Sequence, residues 1–276
     1  MNAPSHNAPI ELGATLHAAA DEQLAVAGDR LGWQGGHRHK GVHQARKSIR
    51  RVRAVLALAA PTLGPDAGTL DGILSDINTS LSHVRDAQAL VEAIDRLSGQ
   101  TKNAKWLQLL SRVRRRAVDA RRGVMHAALA IDPGLSQVRR ALAQVATGLA
   151  RLPWTAVTLD DVNAAYHLSA KQAGNAARKA ARSDDIDAWH RWRRKARRHM
   201  QQQRILASAH HKHTPGRQDR DIAELLGQQQ DCSLLLGFSA SDASPIPWAD
   251  GSQLEAFVEN KRKRLRKALR KTSDKS

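Results

Sequence analysis

Two short stretches carry the residues on which chemistry is most readily built. HQARKSIRR at 43–51 and HRWRRKARR at 190–198 both read H-x-x-R-[KR]-x-x-R-R, 147 residues apart. On a helix turning about 100° per residue, Arg46, Arg50 and Arg53 fall within roughly 80° of His43 on one side, and Lys47 about 40° on the other. In the second stretch His190, Arg193, Arg194 and Arg197 take the same arc, and Arg204 continues it one to two turns on. Arg51 and Arg198 lie at its far edge. A guanidinium presents a planar fork of N–H donors that suits bidentate contact with phosphate, and arginine outnumbers lysine in both stretches. Imidazole adds a charge that switches near neutral pH. Five cations on one short face repel each other, and solubility does not require His followed by Arg at +3, +7 and +8 twice. The pattern points to phosphate.

Composition narrows the ligand. The 276 residues include 44 Lys and Arg against 26 Asp and Glu, a formal charge of +18. Such an excess describes a polyanionic partner rather than a fold. Aromatic residues make up only 3%, and the basic runs VRRRAVDARR and NKRKRLRKALR contain none. Single-stranded nucleic acids are usually held by cations interleaved with aromatic rings on which bases stack. A phosphate chain without bases therefore fits better, with RNA or DNA binding on the same basic surface as the alternative. An enzyme acting on phosphate chains would need a metal site or a positioned acid–base pair, and neither is visible. No metal or organic cofactor is expected. A single cysteine, Cys232, excludes an intrachain disulfide and a cysteine-based zinc module. The apolar run AVLALAA at 54–60 is far short of the ~20 residues that cross a bilayer. The start, MNAPSHNAPIELG, has no secretory pattern, so a cytoplasmic protein is expected.

The elements that must position these side chains are helices. Val42, Ala45, Ile49, Val52 and Leu56 form an apolar seam at helical spacing, as do Leu135, Val138, Leu142, Val145, Leu149 and Leu152. Gly and Pro interruptions divide the chain into nine expected helices, near 8–28, 38–60, 69–97, 101–130, 134–151, 158–182, 184–209, 217–238 and 251–271. The expected class is all-α. The 147-residue offset also maps Arg114, Arg115 and Arg116 onto Lys261, Arg262 and Lys263, and Leu107 and Leu110 onto Leu254 and Phe257. LSHVRDAQAL at 81–90 corresponds to LGQQQDCSLL at 226–235, aligning Asp86 with Asp231. Three segments in one order imply a duplication within a single domain spanning 1–276. A first repeat covers 8–130 and a second 158–271, with 134–151 as a connecting or extra helix. Arg85, Arg115, Arg116, Arg262 and Lys263 join the candidate phosphate ligands on this basis.

Other constellations read more plainly. His210, His211 and His213 form a loop cluster without a shared helical face, and His37 and His39 are expected in an exposed linker. Cys232 reads as a buried thiol among leucines, and Trp189 and Trp192 as core residues. Asp86 and Asp231 read as groups that orient arginines, since a carboxylate facing phosphate would repel it. The basic segment 253–271 reads as a bundle helix.

The paired arginine motifs, each followed 41–43 residues later by an aspartate helix, resemble the conserved histidine α-helical domain, CHAD. The resemblance covers nearly the whole chain. It implies two pseudo-twofold-related bundles, mainly of four helices, around a basic groove or pore that binds inorganic polyphosphate, with association to polyphosphate granules. Carried over residue by residue, the motif falls on His43, Arg46, Arg50, Arg51 and Arg53, then on His190, Arg193, Arg197 and Arg198. Two departures stand out. Gln230 replaces the arginine that precedes the aspartate in the first half, and His199 and Gln203 stand where the first seam has Val52 and Leu56. The glutamate-paired triphosphatase fused to some members is absent, because the chain has no E-x-E.

Overall fold

The computed structural model describes residues 8–209, 215–240 and 246–273, and among them every regular element is helical. The α-helices are α1 (Ala8–Leu31), α2 (Arg38–Ser80), α3 (Ser82–Gly99), α4 (Ala104–Ile131), α5 (Ser136–Leu149), α6 (Leu159–Ala181), α7 (Ile186–Ser208), α8 (Arg217–Ser239) and α9 (Trp248–Ser273). The chain is all-α, as its periodicity requires.

One boundary differs from expectation. The helices expected at 38–60 and 69–97 divide elsewhere, because α2 runs past Pro61 and Pro65 and bends at Gly64. There φ is 74° and ψ −165°, a conformation open to glycine and closed to most other residues. The break falls instead at Leu81, where no Gly or Pro marks it. Thr79 Oγ1 donates to the Ser75 carbonyl and Ser80 Oγ to that of Ile77, each at 2.9 Å. Hydroxyls bonded back onto the preceding turn compete with the helical ladder and bend it.

The seam Val42, Ala45, Ile49, Val52 and Leu56 is fully buried. It packs α2 against α1 and α5 in a core that also takes Trp154, Val157 and Leu206. α3, α4, α8 and α9 share a second core through Leu90, Ile94, Leu110, Val113, Cys232, Leu235, Leu254 and Val258. That core draws on both sides of the α5 connection. A third joins α6 and α7 to Leu226 and Leu269 through Trp189 and Trp192, both buried. The tryptophans, Cys232 and α9 therefore occupy the core positions expected of them. The polar seam of α7 packs equally closely. Gln203 donates to Asp219 Oδ2 at 3.1 Å, lies 3.3 Å from His199 Nε2, and His199 stacks on Tyr166.

Two contacts matter for function: α2 lies against α7, and α3 against α8. The start of α2 is fixed by a close approach to the end of α1. A Cβ on Gly41 would sit 2.2 Å from the Arg30 carbonyl oxygen and 3.2 Å from Trp33 Cβ. Gly41→Ala should cost about 1–3 kcal/mol by forcing the helices apart. At about 2–4 °C per kcal/mol for a domain near this size, thermal melting should show a clear fall in Tm. An unchanged Tm would mean that the hairpin yields there.

Candidate polyanion-binding site

Burial of one face of α2 turns the adjacent face toward α7, and the two arginine stretches meet across the gap. A cavity of about 270 Å³ opens there, lined by His43, Lys47 and Arg50 of α2, Arg85 of α3, and Arg193, Arg197 and Arg204 of α7. Ala196, Met200, Gln201, Ala223 and Leu226 supply the neutral part of the wall, and no carboxylate, Phe, Tyr or Trp is among the described residues that line it. Arg46 stands beside this group, within electrostatic reach of Arg50 and Arg197.

The free site is under electrostatic tension. Burial, and then the charges of Arg197, Arg46, Arg85 and Arg193, push the Arg50 guanidinium down to about 8. Burial likewise lowers Arg193 to about 9, with Arg197 and Arg85 adding to the effect. Arg46 and Arg197 fall to about 10, again chiefly through burial. Arg46 Nε and Nη1 and Arg50 Nε are buried without an acceptor. A buried donor left unmatched costs about 1–3 kcal/mol, more when it carries charge. Asp86 and Asp231 offset only part of this charge, and Arg46 and Arg50 lack acceptors that a chain of phosphates could supply.

Neighbouring groups hold parts of the cluster in place. Arg193 Nη1 donates to the Leu226 carbonyl at 2.8 Å, passing 3.7 Å from where a Cβ would stand on Gly227. Asp86 accepts from Arg85 Nη1 at 3.0 Å, and Asp231 accepts from Arg96, tying α8 to α3. Burial pushes the Asp231 carboxyl up in spite of the arginines around it. Asp86 thus holds an arginine of the cavity lining from behind, while Asp231 meets Arg96 outside it. His43 is lowered below the usual imidazole value, first by burial and then by Arg85, Arg50 and Lys47, with Glu92 opposing. His190 is lowered mainly by burial, although a hydrogen bond with Gln230 opposes the shift.

The remaining candidates lie elsewhere. Arg53 makes a bidentate pair with Asp71 at 2.7 and 3.0 Å, and Arg198 lies within the field of that pair. Arg51 donates to Gln23 Oε1 at 2.9 Å. His190 is outside the cavity lining, beside the exposed Arg194. Arg115 donates to Ser111 at 3.3 Å on an exposed face, Arg116 and Lys263 are exposed, and Arg262 pairs with Glu259 at 2.7 Å. His37 is exposed as expected. His39, however, lies partly buried in the first turn of α2, where burial and then the Arg121 and Arg38 charges lower it. Arg121 was not among the sequence candidates. It donates to Gln88 at 2.9 Å while its Nε is buried without a partner. The run VRRRAVDARR contains it, but repeat alignment drew attention to the run's other end. His210, His211 and His213 lie outside the described residues.

Fold and site together define a class: an all-α protein in which arginines from two separate helices face one cavity. The chain belongs to the CHAD domain family, whose model matches residues 18–240. That family is generally linked to polyphosphate binding and is a binding domain rather than a known catalytic one. The structure is similar to that of PptA from Streptomyces chartreusis, with a TM-score of 0.66 and 18% identity over 95% of this chain and 98% of that one. It is also similar to the crystal structure of the CHAD domain from the plant Ricinus communis, with a TM-score of 0.61 and 18% identity over 95% and 91% of the two chains. Among curated proteins none matches the sequence.

The lowered histidines give the free protein a defined pH response. His39, His43 and His190 titrate below 6.5 when folded and near 6.5 when unfolded, so the unfolded chain binds more protons in that interval. Stability should fall as pH drops from about 7 toward 5. The fall should be smaller in a His43→Gln, His190→Gln variant. Melting curves across pH check this, and a free protein that gains stability on acidification would contradict it.

Proposed function

We propose that the protein binds inorganic polyphosphate in the cavity between α2 and α7, by pairing arginine, lysine and histidine with successive phosphates. The observation that carries this reading is the cluster itself: buried guanidinium donors without acceptors, in a cavity lined by cations and by no carboxylate. The apolar seams hold α2 and α7 rigid, so the arginines are placed before the ligand arrives and less side-chain freedom is lost on binding. The lack of Phe, Tyr and Trp among the described lining residues favours phosphate chains over nucleic acid, because the large rings on which successive bases usually stack are missing. The reading is of binding without catalysis. Association with polyphosphate granules in the cytoplasm is its cellular consequence. No helix among the described residues is long and apolar enough to cross a membrane.

Competition between long-chain polyphosphate and RNA, repeated across salt concentrations, tests the ligand. Each neutralised phosphate on a single strand contributes about −0.7 to the slope of log K against log salt, so six or more contacts give a slope steeper than about −4. Polyphosphate should win at equal phosphate concentration. Equal competition by RNA would favour the nucleic-acid alternative.

Location is tested by substitution. Replacing Arg46, Arg50, Arg193 and Arg197 together with Gln keeps the stems and some donors but removes the charges. This variant should lose binding by two orders of magnitude or more while melting no lower than the wild type, since the repulsion disappears with the charges. Replacing the exposed Lys263, Arg264, Lys267 and Lys271 of α9 with Gln removes the same net charge. It should weaken binding only a few-fold. Equal losses would show that net charge, not this cavity, explains the affinity.

A further inference from the structure

We propose that the phosphate path leaves the central cavity between Lys47 and Arg204 and enters a second cavity against α1, where Arg51 and Gln23 receive it. This rests on the polyphosphate reading of the central site and names what that reading leaves open: a preference for longer chains.

The second cavity has a volume of about 210 Å³ and includes Glu22 and Gln23 of α1, Lys47 and Arg51 of α2, and Gln201 and Arg204 of α7 in its lining. Lys47, Gln201 and Arg204 also line the central cavity, so the two spaces meet across these side chains. From His43 to Arg51 the helix advances eight residues, about 12 Å. Lys47 lies midway, feeling Arg50 on the central side and Arg51 and Arg204 on the outer side. The cations therefore form an unbroken series from one cavity to the other. Arg51 is held by the neutral oxygen of Gln23, so its position is fixed while its charge stays available to an anion. Arg53 and Arg114, by comparison, are each paired with an aspartate.

A cavity of about 260 Å³ also adjoins the central one across the apolar Ala196 and Met200, but it sets Arg178 against Asp219 and continues no series of cations, and the repeat-related route along α7 is closed. Adding 147 to Arg51 and Val55 gives Arg198 and Gln202. Gln202 is 1% exposed and directs its amide toward the Ala54 carbonyl at 3.5 Å. Arg198 lies beside the Arg53–Asp71 pair, which answers part of its charge. One route is filled by side chains and the other is open. A short chain would occupy the central cavity alone, while a longer one would gain Arg51 and Gln23. Glu22, exposed at the rim of the outer cavity, is the acid that opposes this extension.

The test compares inorganic tripolyphosphate with long-chain polyphosphate by calorimetry, using the full chain. Arg51→Gln and Gln23→Glu should each weaken long-chain binding about tenfold and leave tripolyphosphate within twofold. Glu22→Gln should strengthen long-chain binding several-fold without affecting tripolyphosphate, a gain that a folding defect cannot produce. Arg140→Gln, an exposed charge on α5, controls for net charge and should leave the ratio of the two affinities unchanged. Parallel changes for both ligands, or no change for either, would overturn the outer path while the central site stands. A wild-type protein that binds neither ligand would overturn the central reading, and this extension with it.

Discussion

Repulsion among the guanidinium groups between α2 and α7 is the interaction on which the rest of the structure depends. Burial, and then the charges of neighbouring arginines, Arg85 among them, depress Arg46, Arg50, Arg193 and Arg197. A free protein can hold such a group together only if the surrounding packing opposes its dispersal. The buried seam of α2 and the Trp189–Trp192 face of α7 provide that resistance. Of the ion pairs, Arg53 with Asp71, Arg112 with Asp250 and Arg96 with Asp231 lie outside the cavity lining, and Asp86 holds the lining residue Arg85 without itself facing the cavity. Carboxylates neutralise the supporting structure and leave the centre positive.

This division explains how a chain with so large a charge excess folds. Exposed cations are screened within a Debye length of ~8–10 Å and cost little. The few buried cations carry most of the penalty, and two of them, Arg46 and Arg50, also hold donors that lack acceptors. A bound polyanion relieves the penalty, so affinity and stability draw on the same groups. Glu92 near His43 and Gln230 on His190 adjust the two ends unequally, which gives the site a direction despite the similarity of its two arginine motifs.

Much of this was legible in the sequence. The apolar period of 42–56 located the packed face of α2, and the angle between that face and His43, Arg46 and Arg50 located the exposed arc. What a single helical wheel could not show is which charges return from elsewhere. Asp71 reaches Arg53 because the chain bends at Gly64, so a residue assigned to the cationic arc becomes half of an ion pair. Gln23 reaches Arg51 from a different helix. The break at Leu81 escaped notice because serine and threonine hydroxyls, not Gly or Pro, mark it. Arg121 and His39 were hidden for a similar reason: Arg121 of α4 bonds Gln88 of α3 and brings its charge to His39 of α2, a meeting of three helices that periodicity does not encode.

The central claim is that Arg46 and Arg50 hold buried donors without acceptors in the free protein, and that polyphosphate supplies the acceptors and the counter-charge. The most direct measurement follows the arginine Nε–H resonances by nitrogen-15 NMR as polyphosphate is added. Arg46 and Arg50 should shift and gain protection from solvent exchange, while Arg112 and Arg114, already paired with Asp250 and Asp95, should remain where they are. Resonances of Arg46 and Arg50 that do not respond, or a uniform shift of every arginine, would contradict the account.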